Sequence, residues 1–156
     1  MSNAYVNATT MMEHWDTPEE NSSHNHAWLN SVAYFFRARL GGIVLDRVGA
    51  AHEVLVRPWP LGRGQLAWVR AAAPTPHGLV RSAWELRAGA LELQVAVPPA
   101  LSAVVDVPVA NGTALVAACA QATAQPGTAL VIGDRLWRRF SLPSDTACNF
   151  SSPNLI

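Results

Sequence analysis

Ala90-Leu91-Glu92-Leu93-Gln94-Val95-Ala96-Val97, closed by Pro98-Pro99, is the stretch that decides the fold. Leu91, Leu93, Val95 and Val97 share one face, while Glu92 and Gln94 lie on the other. A period of two marks a half-buried β-strand. The two prolines end it, because proline cannot donate to a sheet ladder.

Similar short pieces flank it. Upstream, residues 78–86, 65–71 and 52–57 read as strands, with Val54 and Val56 on one face of the last and Gly62-Arg63-Gly64 as a turn before the second. Downstream, residues 103–107 form a strand closed by Pro108 and followed by Asn111-Gly112. Residues 129–132 and 137–142 pair around Gly133-Asp134. Closely spaced strands with turn signals between them predict an antiparallel, jelly-roll-like β-sandwich over residues 43–143. Residues 113–124 are alanine-rich and read as irregular strand plus loop, and the polar residues 144–156 read as a flexible tail.

Residues 1–42 have a different texture, rich in Asn, Thr, Ser, His and Glu. They end in a segment, residues 26–40, with Trp28, Leu29, Val32, Phe35, Phe36 and Leu40 at helical spacing. Ser22, Ser23 and Asn25 are candidate N-caps. Arg37 and Arg39 suit the last turn, and Gly41-Gly42 supplies the stop. The fold expected is therefore mostly β, preceded by one long α-helix whose wide aromatic stripe needs another element to cover it.

Composition bounds the function. The chain has 156 residues, and its 50% hydrophobic content is enough for a packed core. Eleven basic and eleven acidic residues give a net charge of zero, so neither nucleic acid nor an anionic membrane is an expected partner. Every basic residue is arginine, a bias of coding rather than function. No apolar run reaches membrane-spanning length, and no signal peptide is visible at the N-terminus. Cys119 and Cys148 make neither a zinc signature nor a disulfide framework; whether they pair stays open. Sequons at Asn7, Asn21, Asn111 and Asn149 tilt the expected setting toward the extracellular.

Two clusters near the start resemble glycoside hydrolase family 78, the bacterial and fungal α-L-rhamnosidases. Ala8-Thr9-Thr10-Met11-Met12-Glu13-His14-Trp15-Asp16 is similar to a loop of that family's (α/α)6 barrel, and Asn25-His26-Ala27-Trp28 to the Asn-His start of the barrel's last helix. Gly42-Ile43 stands where that helix runs out. The strand region resembles the family as well, at Val56-Arg57-Pro58, over Thr75 to Trp84, and at Leu91 to Pro98. The resemblance covers about residues 5 to 108, and the order and spacing of its five pieces carry it. The chain departs from the family at Met12, where Trp is usual, and at His14, where Arg is common. Both changes alter the packing around the Glu13 carboxylate and the fit to substrate.

The resemblance implies that residues 1–42 are the end of a helical catalytic barrel and residues 43–143 a C-terminal sandwich. It implies hydrolysis of terminal α-L-rhamnosyl bonds with inversion. Inversion needs two carboxyl groups roughly 6.5–9.5 Å apart, one protonated as acid and one ionised to activate water. Glu13 falls at the place of the general base; on residue type alone it reads as an exposed loop acid. The family's general acid lies in a barrel segment that this sequence does not contain, so the chain alone is expected to be inactive. The implied partners are a rhamnose-containing glycoside and an upstream barrel.

Asn25, His26, His14 and Trp15 are the candidate substrate-binding residues. Trp15 reads either as core or as a wall for the apolar face of a deoxy-sugar, and His26 either as bonded to backbone or to a sugar hydroxyl. His14, His24 and His26 lack a convergent fourth ligand in sequence, so no metal or cofactor is expected. His52 and His77 read as surface strand and turn residues. Trp59, Trp68, Trp84 and Trp137 read as core or seating residues. The alternative function, a non-catalytic carbohydrate-binding or scaffold sandwich, would instead expose two or three of them on one face.

Overall fold

A computed structural model describes residues 31–45, 52–60, 66–110, 114–153 and 155. The chain divides into two compact units, Met1–Phe35 and Phe36–Ile156. In the first, the described residues form one helical turn, α1 (Ser31–Phe35), with Val32, Tyr34 and Phe35 exposed.

The second unit opens with a π-helical turn, Phe36–Leu40, closed by the Gly41 N–H donating to the Phe36 carbonyl at 2.8 Å. The glycine pair predicted as the stop has a steric cause. Gly42 has φ +76°, and a Cβ there would strike the Pro58 backbone; a Cβ on Gly41 would strike Ala71. Three bonds then lock this corner. Arg57 N–H donates to Gly42 O, Trp59 N–H to Arg39 O, and the Trp84 indole N–H to Leu40 O.

Among the described residues ten strands follow: β1 (Ile43–Val44), β2 (Glu53–Val56), β3 (Trp68–Thr75), β4 (Gly78–Arg87), β5 (Ala90–Val97), β6 (Ser102–Val109), β7 (Val116–Ala117), β8 (Thr123–Ile132), β9 (Arg135–Leu142) and β10 (Thr146–Ser152). They make two five-stranded sheets, ordered β1-β2-β6-β9-β8 and β3-β4-β5-β10-β7. The mostly β sandwich expected from the alternation is therefore present. All pairs are antiparallel except β2–β6. That exception follows from the path. The chain leaves β2, builds β3, β4 and β5 in the opposite sheet, and returns beside β2 in the same direction, the long crossover that a parallel pair requires.

Tight turns fix the registers. Ala88 and Gly89 both have positive φ, as a two-residue hairpin loop prefers. Gly133-Asp134 joins β8 to β9, as its sequence predicts, with Ile132 opposite Arg135. A register shift interrupts β8 between Ala124 and Ala129, the interval that holds Pro126-Gly127. The core lies between the sheets. Leu91, Leu93, Val95 and Val97 all point into it, while Glu92 and Gln94 are exposed. Phe140 of one sheet packs on Phe150 of the other, with ring centroids 5.1 Å apart.

One expectation is overturned. Residues 146–152 are not a flexible tail but a central strand, β10, paired with β5 along its whole length and with β7 on its other side. Thr146, Cys148, Phe150 and Ser152 face inward. Only one of those four is a large apolar residue, so the composition reads as polar although the alternation is that of a strand. A disulfide between Cys148 and Cys119, Cα atoms 5.3 Å apart, ties β10 to the segment after β7.

Candidate functional site

The residues that the sequence singles out for catalysis and substrate contact, Glu13, His14, Trp15, Asn25 and His26, lie outside the described residues. The described chemistry belongs to the two outer faces of the sandwich.

On the outer face of the first sheet, Asp106 of β6 is completely buried. Its carboxylate accepts from Arg57 Nε at 2.8 Å and Nη2 at 2.6 Å, and from Arg139 Nε at 2.7 Å and Nη2 at 3.0 Å. Two guanidinium forks thus satisfy one buried carboxylate, the arrangement that makes a buried charge tolerable. The hydrogen bond to Asp106 raises the Arg139 guanidinium further above its ordinary value. Beside the cluster, Trp59 packs on buried Trp137 with centroids 5.4 Å apart. Arg135 lies over the Trp59 ring and donates to the Pro60 carbonyl at 2.6 Å. Sequence reading missed this cluster, yet it left a signal. Asp106 is a lone charge in a strand buried on both faces, and such a charge needs a partner.

On the outer face of the second sheet, strand register sets side chains in rows. Trp68, Glu85, Glu92 and Ser151 form one row across β3, β4, β5 and β10; Arg70, Ala83, Gln94 and Asn149 form the next. A groove of about 780 Å³ runs along these rows, with Ala83 between Arg70 and Gln94 in its lining. Trp68 is 58% exposed at its wall, with the Arg70 guanidinium 5.6 Å from its ring centroid. Arg87 Nη2 donates to Glu85 at 2.7 Å, and Ser151 Oγ donates to Glu92 at 2.7 Å. The Arg87 hydrogen bond holds the Glu85 carboxyl below the usual carboxylate range.

The four sandwich tryptophans therefore separate. Trp84 and Trp137 are buried, Trp59 is half-buried, and Trp68 alone stands on an open face. A platform of several rings, expected of the alternative function, is not formed. His52 and His77, read as surface residues, meet each other: Nδ1 of one lies 3.2 Å from Nε2 of the other. Among the described residues no group of three or more His, Cys, Asp or Glu could hold a metal ion, and no helix is long and apolar enough to cross a membrane.

Comparison with known proteins places this architecture. Residues 49–118 match the family model of the bacterial alpha-L-rhamnosidase C-terminal domain. An alpha-L-rhamnosidase of Streptomyces avermitilis is 36% identical over 110 residues, 65% of this chain and 10% of that protein. One of Formosa agariphila is 27% identical over 113 residues, 69% of this chain and 12% of that protein. The crystal structure of the Streptomyces avermitilis alpha-L-rhamnosidase complexed with L-rhamnose superposes over 92% of this chain and 14% of that one, with a TM-score of 0.64 and 25% identity. The chain spans about a tenth of the length of the curated relatives it matches.

Proposed function

We infer that this chain, whose residues 49–118 carry the bacterial alpha-L-rhamnosidase C-terminal domain, is the C-terminal part of an alpha-L-rhamnosidase. The observation that carries the reading is the coincidence of that match with the two-sheet body, together with the superposition over 92% of the chain. In this reading residues 1–42 end the catalytic barrel, and residues from 43 onward are the sandwich that closes the enzyme.

Glu13 is the general base. Ionised, it deprotonates the water that attacks the anomeric carbon, while a carboxylic acid from the upstream barrel protonates the leaving oxygen. Asn25 and His26 hold sugar hydroxyls, His14 borders the carboxylate, and Trp15 faces the apolar side of the deoxy-sugar. The substrate is a glycoside with a terminal α-L-rhamnosyl group. The Cys119–Cys148 disulfide supports an oxidising setting, and with it an extracellular one.

With one of two carboxyl groups supplied from elsewhere, the purified chain does not hydrolyse an aryl α-L-rhamnoside. Release of the aryl alcohol by the purified 156-residue chain would overturn this division of labour.

A further inference from the structure

We propose that the groove on the outer face of β3, β4, β5 and β10 is a binding site for a neutral saccharide chain. Three features point to that ligand class.

The first is Trp68, an indole held at the wall of a concave face with 58% of its surface open. The C–H face of a pyranose stacks on such a ring. The second is the pair Glu85 and Glu92, directly opposite each other on β4 and β5. Like charges in that position weaken a sheet, so folding alone does not account for them. Each is oriented by its own donor, Arg87 for Glu85 and Ser151 for Glu92. A carboxylate so held keeps a lone pair for an incoming hydroxyl. The third is the amide pair Gln94 and Asn149, opposite each other on β5 and β10, both exposed and each able to donate and accept.

Charge selects a neutral ligand. Glu85 is paired with Arg87, and Arg70 is drawn over Trp68, so neither sign dominates the groove. Hydroxyl groups suit this mixture of oriented acceptors and amides, whereas a phosphate or a polyanion would meet Glu85 and Glu92. Four strands at about 4.8 Å spacing give a groove about 14 Å wide, longer than one pyranose ring, so the occupant is a chain rather than a single sugar.

The test uses the full chain. Tryptophan fluorescence is titrated with a neutral oligosaccharide bearing α-L-rhamnose and with a neutral oligosaccharide lacking it. The proposal expects saturable binding of at least one. Trp68→Ala should weaken it by about tenfold, the scale of one lost aromatic contact. Gln94→Ala should also weaken it, and both variants should unfold at the parent temperature because both side chains are exposed. Binding of neither probe overturns the proposal. So does binding that Trp68→Ala retains in full. Both substitutions lie in the sandwich strands, so the groove and the catalytic reading of Glu13 can each fail alone.

Discussion

Arg139 Nε lies 2.7 Å from Asp106 Oδ1 across β9 and β6, while Arg57 reaches the other oxygen of the same carboxylate from β2's end. Asp106 is 0% exposed, and both arginine side chains are a quarter exposed. Removing the carboxylate leaves two guanidinium groups facing each other in a poorly solvated place. Asp106→Ala should therefore cost about 3 kcal/mol, the lower end of the range for a broken buried pair. Urea unfolding checks this.

Reducing the Cys119–Cys148 bridge releases a loop closed across 29 residues. Loop-closure entropy for that length predicts a loss of roughly 3–4 kcal/mol. Unfolding midpoints measured with and without reductant, or on Cys148→Ser, give the value. A midpoint that does not move would mean that β10 is held by its ladder and by Phe150 alone.

Gly42→Ala places a Cβ in a left-handed conformation against the Pro58 backbone. The backbone strain alone costs about 1–3 kcal/mol, and the collision adds to it. Thermal unfolding should fall accordingly, whereas Ala72→Ser, on an exposed strand position, should leave it unchanged.

The Glu85–Arg87 pair predicts a small acid sensitivity. The folded Glu85 carboxyl titrates below its ordinary value of 4.5, held there first by the Arg87 hydrogen bond. Its contribution is complete above that value and is lost as pH falls through the lower folded one. Solvent screening keeps the effect slight. In Glu85→Gln, the decline in stability on acidification should be shallower than in the parent.

The sheets were legible where one face is apolar and the other polar. Leu91 to Val97 shows its period of two openly, and Gly133-Asp134 and Gly41-Gly42 carry turn and stop chemistry in their residue types. β10 was not legible, because its inward face is built from Thr146, Cys148, Phe150 and Ser152, and a disulfide partner 29 residues away supplies the hydrophobic closure. The sequence left Cys119 and Cys148 undecided for the same reason: pairing depends on where strands meet. The Asp106 cluster joins residues 49 and 33 positions apart, and the Glu85–Glu92 row exists only once the hairpin register is set. The catalytic candidates, Glu13, His14, Trp15, Asn25 and His26, rest on motif resemblance and lie outside the described residues.

In the proposed function, Glu13 is the general base of an alpha-L-rhamnosidase completed by an upstream barrel. The direct measurement replaces the matching C-terminal segment of the Streptomyces avermitilis alpha-L-rhamnosidase with this chain and follows hydrolysis of an aryl α-L-rhamnoside. An active chimera is expected, with a loss of about 10²–10⁴-fold in kcat for Glu13→Gln and folding unchanged by circular dichroism. An active chimera in which Glu13→Gln turns over at the parent rate would contradict it.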